Sequence, residues 1–107
     1  MPLPTITNLF PLADGMPGRE SFATLQEGRA FTFEHIVSRG EASPPDFWYD
    51  QERDEWVMLA RGEALLRFED GDLNLKAGDA LTIPAGVRHR VETASNDAVW
   101  LALHFRG

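Results

Sequence analysis

From Ala30 onward, apolar residues recur at every second position in short runs, and each run stops at a turn residue. Alternation of this kind puts successive side chains on opposite sides of an extended strand. Phe31–Ser38, Ala64–Glu69, Asp72–Lys76, Ala80–Ile83 and His89–Thr93 read this way, while Glu55–Ala60 and Ala98–Phe105 are strand-length runs that are apolar at nearly every position. Phe47–Gln51 is an aromatic stretch expected to be extended. Asp70-Gly71 between two alternating runs marks a tight hairpin, and Pro84 with Gly86 marks a second turn. Tight turns join neighbouring strands antiparallel. The expected fold is therefore all-β: a small antiparallel barrel or jelly roll of roughly seven or eight strands.

Residues 1–29 lack this alternation. Residues 1–18 are rich in proline and read as an arm lying across a surface. Gly18–Gly28 carries a helical spacing, with Glu20 at its start, Phe22 and Leu25 on one face and Gly28 at its end, so one short helix is expected there. The expected organisation is an arm and helix over 1–29, followed by one barrel domain over 30–107.

Composition excludes several classes of function. The chain of 107 residues is 43% hydrophobic and 25% charged, enough for one real core. Seventeen acidic against ten basic residues give a net charge of −7. Nucleic acid would want a basic stripe, and none is present. The absence of cysteine removes disulfides, thiol catalysis and thiolate metal sites. No signal-peptide pattern and no long apolar run are visible, so a cytoplasmic protein with no membrane partner is expected. No phosphate-binding glycine loop is present, and no nucleotide cofactor is expected.

The run Glu55–Ala60 is apolar on both faces: Val57 and Leu59 on one, Trp56, Met58 and Ala60 on the other. Trp100–His104 shares the trait. A lone barrel would show a polar outside, so the outer faces are expected to pack against a second copy, as a homodimer, or under the N-terminal arm.

Two residues concentrate the chemistry. Glu55 shares its face with Val57 and Leu59, which aims a carboxylate at the core. A buried carboxylate needs a cation, or a proton with hydrogen bonds. His89 follows the Pro84–Gly86 turn and shares a face with Val91, as a ligand or as a plain core histidine. Tyr49 and Gln51 lie on one face of the aromatic stretch and would converge with Glu55 and His89 at one barrel mouth. His35 shares a face with Phe31, Phe33 and Val37 and is expected inward, as core or as pocket wall. His104 shares a face with Trp100 and Ala102, and joins the site if that face is the inner one. Glu55 and His89 would serve as an acid–base pair, as metal ligands, or as members of an inert polar cluster.

The segment Gly78-x5-Pro84-x-Gly86-x2-His89 resembles the second motif of the cupin family, with Thr93 where that motif usually has asparagine. Glu55-x6-Gly62 is similar to the second half of the first cupin motif. The two histidines of its first half fall on Tyr49 and Gln51. The resemblance covers roughly residues 30–105 and is closest to small bacterial cupins with this Tyr-x-Gln replacement. It implies an antiparallel barrel, often dimeric, with iron, manganese, nickel or zinc bound by three histidines and a glutamate. Carried over, the metal ligands would be Gln51, Glu55 and His89, an amide replacing one imidazole and so a weaker set. The implied function is a small-molecule site inside the barrel, as a metal-dependent oxygenase or isomerase. The alternative is a metal-free barrel that binds a small ligand or regulates.

Overall fold

The computed structural model describes residues 3–6, 8–10, 21–38, 40 and 42–106. Among the described residues eight strands follow one another: β1 (Ser21–Glu27), β2 (Phe31–Val37), β3 (Asp54–Arg61), β4 (Glu63–Phe68), β5 (Gly71–Lys76), β6 (Ala80–Ile83), β7 (His89–Ala94) and β8 (Val99–Phe105). They form a five-stranded sheet, β1-β2-β8-β3-β6, and a three-stranded sheet, β5-β4-β7. Every strand pairing is antiparallel. Among the described residues there is no helix, and so none long and apolar enough to cross a membrane.

The helix expected over Gly18–Gly28 is not formed in its described part. Ser21–Glu27 is strand β1, paired with β2; Gly18, Arg19 and Glu20 lie outside the described residues. The cause is a bulge between Thr24 and Gln26, where Leu25 has no partner in the register. One extra residue puts a step of three into a period of two. That step between Phe22 and Leu25 mimics helical spacing. Of the expected arm, residues 1, 2, 7 and 11–18 lie outside the described residues. Leu3 and Ile6 are almost fully exposed, and the Phe10 ring lies 4.4 Å beneath the Arg61 guanidinium.

The inner face of the large sheet is set by its register. Ile36, Trp100 and Leu59 form one cross-strand row; Glu34, Ala102 and Val57 the next; Thr32, His104 and Glu55 the last. Val57, Leu59, Trp100 and Ala102 pack with Ala64, Leu66, Ile83 and Ala98 into the core. Apolar burial therefore ends where the polar row begins. The opposite face carries Phe33, His35, Trp56, Met58, Leu101 and Leu103, so both sides of β3 and β8 are apolar, as their sequences imply. His35 is a correction: it pairs with Leu101 on this outer face, away from the cavity. Alternation separates two faces of a strand without saying which is inside, and on β2 the less apolar face, Thr32, Glu34 and Ile36, is the inner one.

Gly62 carries the chain from β3 in the large sheet to β4 in the small one. Its φ is 88°, and a Cβ there would press on Ser95 and on the Ala98 backbone. Only glycine meets both demands without strain.

Candidate functional site

Glu55 and His89 come from different sheets. Glu55 sits on β3 beside Ile83 of β6 and His104 of β8. His89 begins β7 opposite Phe68 of β4. Both are buried, at 7% and 5% exposure, and His89 Nε2 lies 3.5 Å from Glu55 Oε1. The Pro84–Gly86 turn is tied down by two contacts. Gly86 N donates to Gln51 O at 2.9 Å, and Ala85 N donates to Asp54 Oδ1 at 2.8 Å. The turn that delivers His89 is thereby fastened to the segment that delivers Gln51 and Glu55.

Tyr49 reaches the same place through backbone. It exchanges two hydrogen bonds with His89, of 2.7 and 3.1 Å, and stacks on the imidazole with ring centroids 5.4 Å apart. Arg90 holds the preceding loop, donating from its guanidinium to Pro44 O and Ser43 O at 3.1 and 3.0 Å. Its role is that of a clamp.

Tyr49, Gln51, Glu55 and His89 wall a cavity of about 160 Å³, shared with Glu34, His104, Trp100 and Phe22. Tyr49, Gln51, Glu55, His89 and His104 are therefore brought together, and His35 is not. Sequence reasoning missed Glu34, whose Oε1 accepts from His104 Nε2 at 2.8 Å. The signal was available: Glu34 is a lone carboxylate inside the apolar run Phe31–Val37, as Glu55 is in its own. His104 Nε2 also stands 3.9 Å from Glu55 Oε2, so two carboxylates and two imidazoles alternate in a row that runs from the large sheet to His89 of the small one.

The hydrogen bonding determines what this wall can do. His89 Nδ1 lies 3.1 Å from the Val87 carbonyl, which can only accept. Nδ1 therefore carries a hydrogen, and a neutral His89 turns the lone pair of Nε2 toward Glu55. Two lone pairs cannot face one another in an enclosed site without a proton or a cation between them. Among the described residues, Glu55 Oε1 and Gln51 Oε1 are buried acceptors that receive no hydrogen bond. Burial opposes charge on His89, but the Glu55 carboxylate and the Val87 carbonyl outweigh it and raise its pKa above the ordinary 6.5.

A raised histidine pKa means that the folded chain holds a proton the unfolded chain releases. The stabilisation is complete below pH 6.5 and is lost as pH rises through the folded value. Thermal unfolding followed from mildly acidic to mildly alkaline pH is expected to show a falling melting point over that window. A His89→Gln variant should flatten the fall; an unchanged slope would remove His89 as its source.

A resident metal can be tested against this donor set. Among the described residues no group of three or more His, Cys, Asp or Glu is arranged to hold an ion. His104 already donates to Glu34, which leaves His89 Nε2, the Glu55 carboxylate and the Gln51 amide oxygen facing the cavity. The two unbonded acceptors would suit a cation, through fewer strong ligands than three histidines and a glutamate supply.

Residues 33–104 match the cupin domain family. A crystal structure of a candidate mannose-6-phosphate isomerase from Ralstonia eutropha JMP134 is 41% identical, with a TM-score of 0.86, covering 97% of this chain and 100% of that one. A cupin superfamily protein from Desulfitobacterium hafniense DCB-2 is 17% identical, with a TM-score of 0.75 over 88% of this chain and 84% of that one. KdgF from a Halomonas species is 19% identical, with a TM-score of 0.72 over 88% of this chain and 85% of that one. The last two likenesses concern the fold alone. No curated protein matches the sequence.

Proposed function

The chain belongs to the cupin family, and from that premise we propose that its barrel interior binds a small hydroxylated carbonyl compound and shifts a proton between adjacent carbons, an isomerase-type reaction. The observation that carries this is the buried Glu55–His89 pair, whose facing lone pairs are reconciled here by a proton on Nε2. The name of the 41% identical Ralstonia eutropha protein supports the same reaction class and suggests a sugar as substrate.

The residues have complementary roles. Glu55 as carboxylate takes the proton from the carbon beside the carbonyl, and the C–H electron pair becomes the new carbon–carbon double bond. His89, protonated and fixed by Val87, gives its Nε2 proton to the carbonyl oxygen. The neutral imidazole then removes the proton of the neighbouring hydroxyl, and Glu55 returns its proton to the other carbon. The enediol is consumed, His89 and Glu55 recover their starting states, and no oxidant is needed. Proton transfer through Glu55 and His89 exposes the moving hydrogen to exchange with solvent, so the reaction carries solvent hydrogen onto carbon.

A second reading is favoured by the two unbonded acceptors, Gln51 Oε1 and Glu55 Oε1. Gln51, Glu55 and His89 would then hold a divalent transition metal such as iron, manganese, nickel or zinc. Such an ion would supply polarisation of a substrate oxygen.

One experiment separates the two. The protein is incubated with an aldohexose 6-phosphate in deuterium oxide, and the carbon next to the carbonyl is followed by NMR. Deuterium is expected to enter, and to keep entering after treatment with a chelator. Exchange that stops on chelation and returns with one divalent metal would transfer the assignment to the metal. No deuterium under either condition would sink the isomerase assignment.

A further inference from the structure

The cavity continues into a groove of about 440 Å³ at the barrel mouth; Glu34, Gln51 and His104 wall both, and Thr32, Glu52, Arg53 and Arg106 complete the groove. Its charges are unevenly committed. Glu34 accepts from His104. Glu52 stands 3.8 Å from Arg106, both largely exposed. Arg53 is half-buried, donates from Nη1 to Thr32 Oγ1 at 3.0 Å, and has no ion pair among the described residues. In a chain with a net charge of −7, a half-buried guanidinium left without a carboxylate is an anomaly of placement. Guanidinium carries five donors in a planar fork suited to an oxyanion, and a single hydroxyl uses only one of them. Thr32 is the cross-strand neighbour of His104, which is in turn the neighbour of Glu55. A hydrogen bond to Thr32 therefore anchors the fork at the rim of the row that carries the acid–base chemistry.

We propose that Arg53 is the anion-recognition residue of this site, so that the substrate is an anionic hydroxylated molecule whose carbonyl end enters the cavity and whose phosphate or carboxylate stays in the groove on the Arg53 guanidinium. The inference rests on the cavity reading and adds to it the charge and orientation of the ligand. Among the described residues the cavity wall carries Glu55, which does not line the groove, and no arginine or lysine, whereas the groove carries Arg53 and Arg106; this keeps an anionic group out of the interior and directs the neutral end inward. Anion binding at the rim and proton transfer within then share one substrate without placing its charge against Glu55.

The test uses the whole chain with three probes: an aldohexose 6-phosphate, the uronate of the same hexose, and the neutral hexose. Affinities are measured by calorimetry, and the Arg53 Nε–H and His89 ring signals are followed by NMR. The phosphate, the uronate or both are expected to bind more tightly than the neutral sugar and to shift both signals. Which of them binds identifies the anion. Arg53→Gln should weaken the anionic probe about tenfold to a hundredfold and leave the neutral sugar unchanged, and Arg53→Lys should recover part of the loss. Equal binding of charged and neutral probes, or an Arg53 signal that does not move while His89 responds, overturns the anion site and leaves the cavity reading standing. Movement at Arg53 with none at His89 removes the cavity reading and leaves an anion site. No response at either signal overturns both.

Discussion

A Glu55→Gln substitution is expected to lower proton exchange on the substrate by about 10²–10⁴-fold, the usual contribution of a positioned general base, with the fold retained. The two side chains have the same shape, so packing beside Ile83 and His104 is preserved. The carboxamide cannot take the proton from carbon. It also cannot balance a charge on His89, where burial is the largest single influence and works against protonation. The His89 titration seen by proton NMR should therefore move to lower pH in the variant, together with the loss of exchange. Loss of exchange with an unmoved His89 titration would mean that Glu55 does not face the imidazole in solution. Full exchange in the variant would end its role as base.

The second large effect is structural. Trp100→Ala is expected to cost about 3–5 kcal/mol. Trp100 is 4% exposed, lies between Ile36 and Leu59 in the cross-strand row above the site, and walls the cavity. Its removal leaves a void under a rigid sheet that cannot close over it. Against a total of about 5–15 kcal/mol for a domain of this kind, the variant would be marginally folded at best, and chemical denaturation would show it. Leu73→Ala, at a residue 46% exposed on β5, should change stability by less than about 0.5 kcal/mol. A Trp100 variant as tolerant as the Leu73 variant would place the core elsewhere.

The architecture was legible because its signals are local. The hairpin expected at Asp70-Gly71 forms between β4 and β5 one residue earlier, with Glu69-Asp70 as its turn and Gly71 paired with Phe68, and the two-residue period along Glu55–Ala60 puts Glu55 on the face of Val57 and Leu59, all three of which are buried. Where the local signal was altered, the inference failed. The bulge at Thr24/Gln26 disguised β1 as a helical spacing. On β2 both faces carry apolar residues, so His35 and Glu34 exchanged roles: the histidine lies outside, and the carboxylate joins the cavity.

The sequence by itself determined that the chain is a twofold-periodic β structure, that Glu55 faces inward, and that a Pro-Gly turn delivers His89. These follow from steric preferences acting over a few neighbouring residues, which a linear pattern records. Only the tertiary structure decided that Glu55 and His89 meet, because they belong to different sheets and their 3.5 Å separation is set by how those sheets close on a shared core. The same holds for His104 beside Glu34, and for Arg53 resting on Thr32 at the mouth. Such contacts join residues with many others between them, and no local preference of the backbone specifies a distance across a barrel.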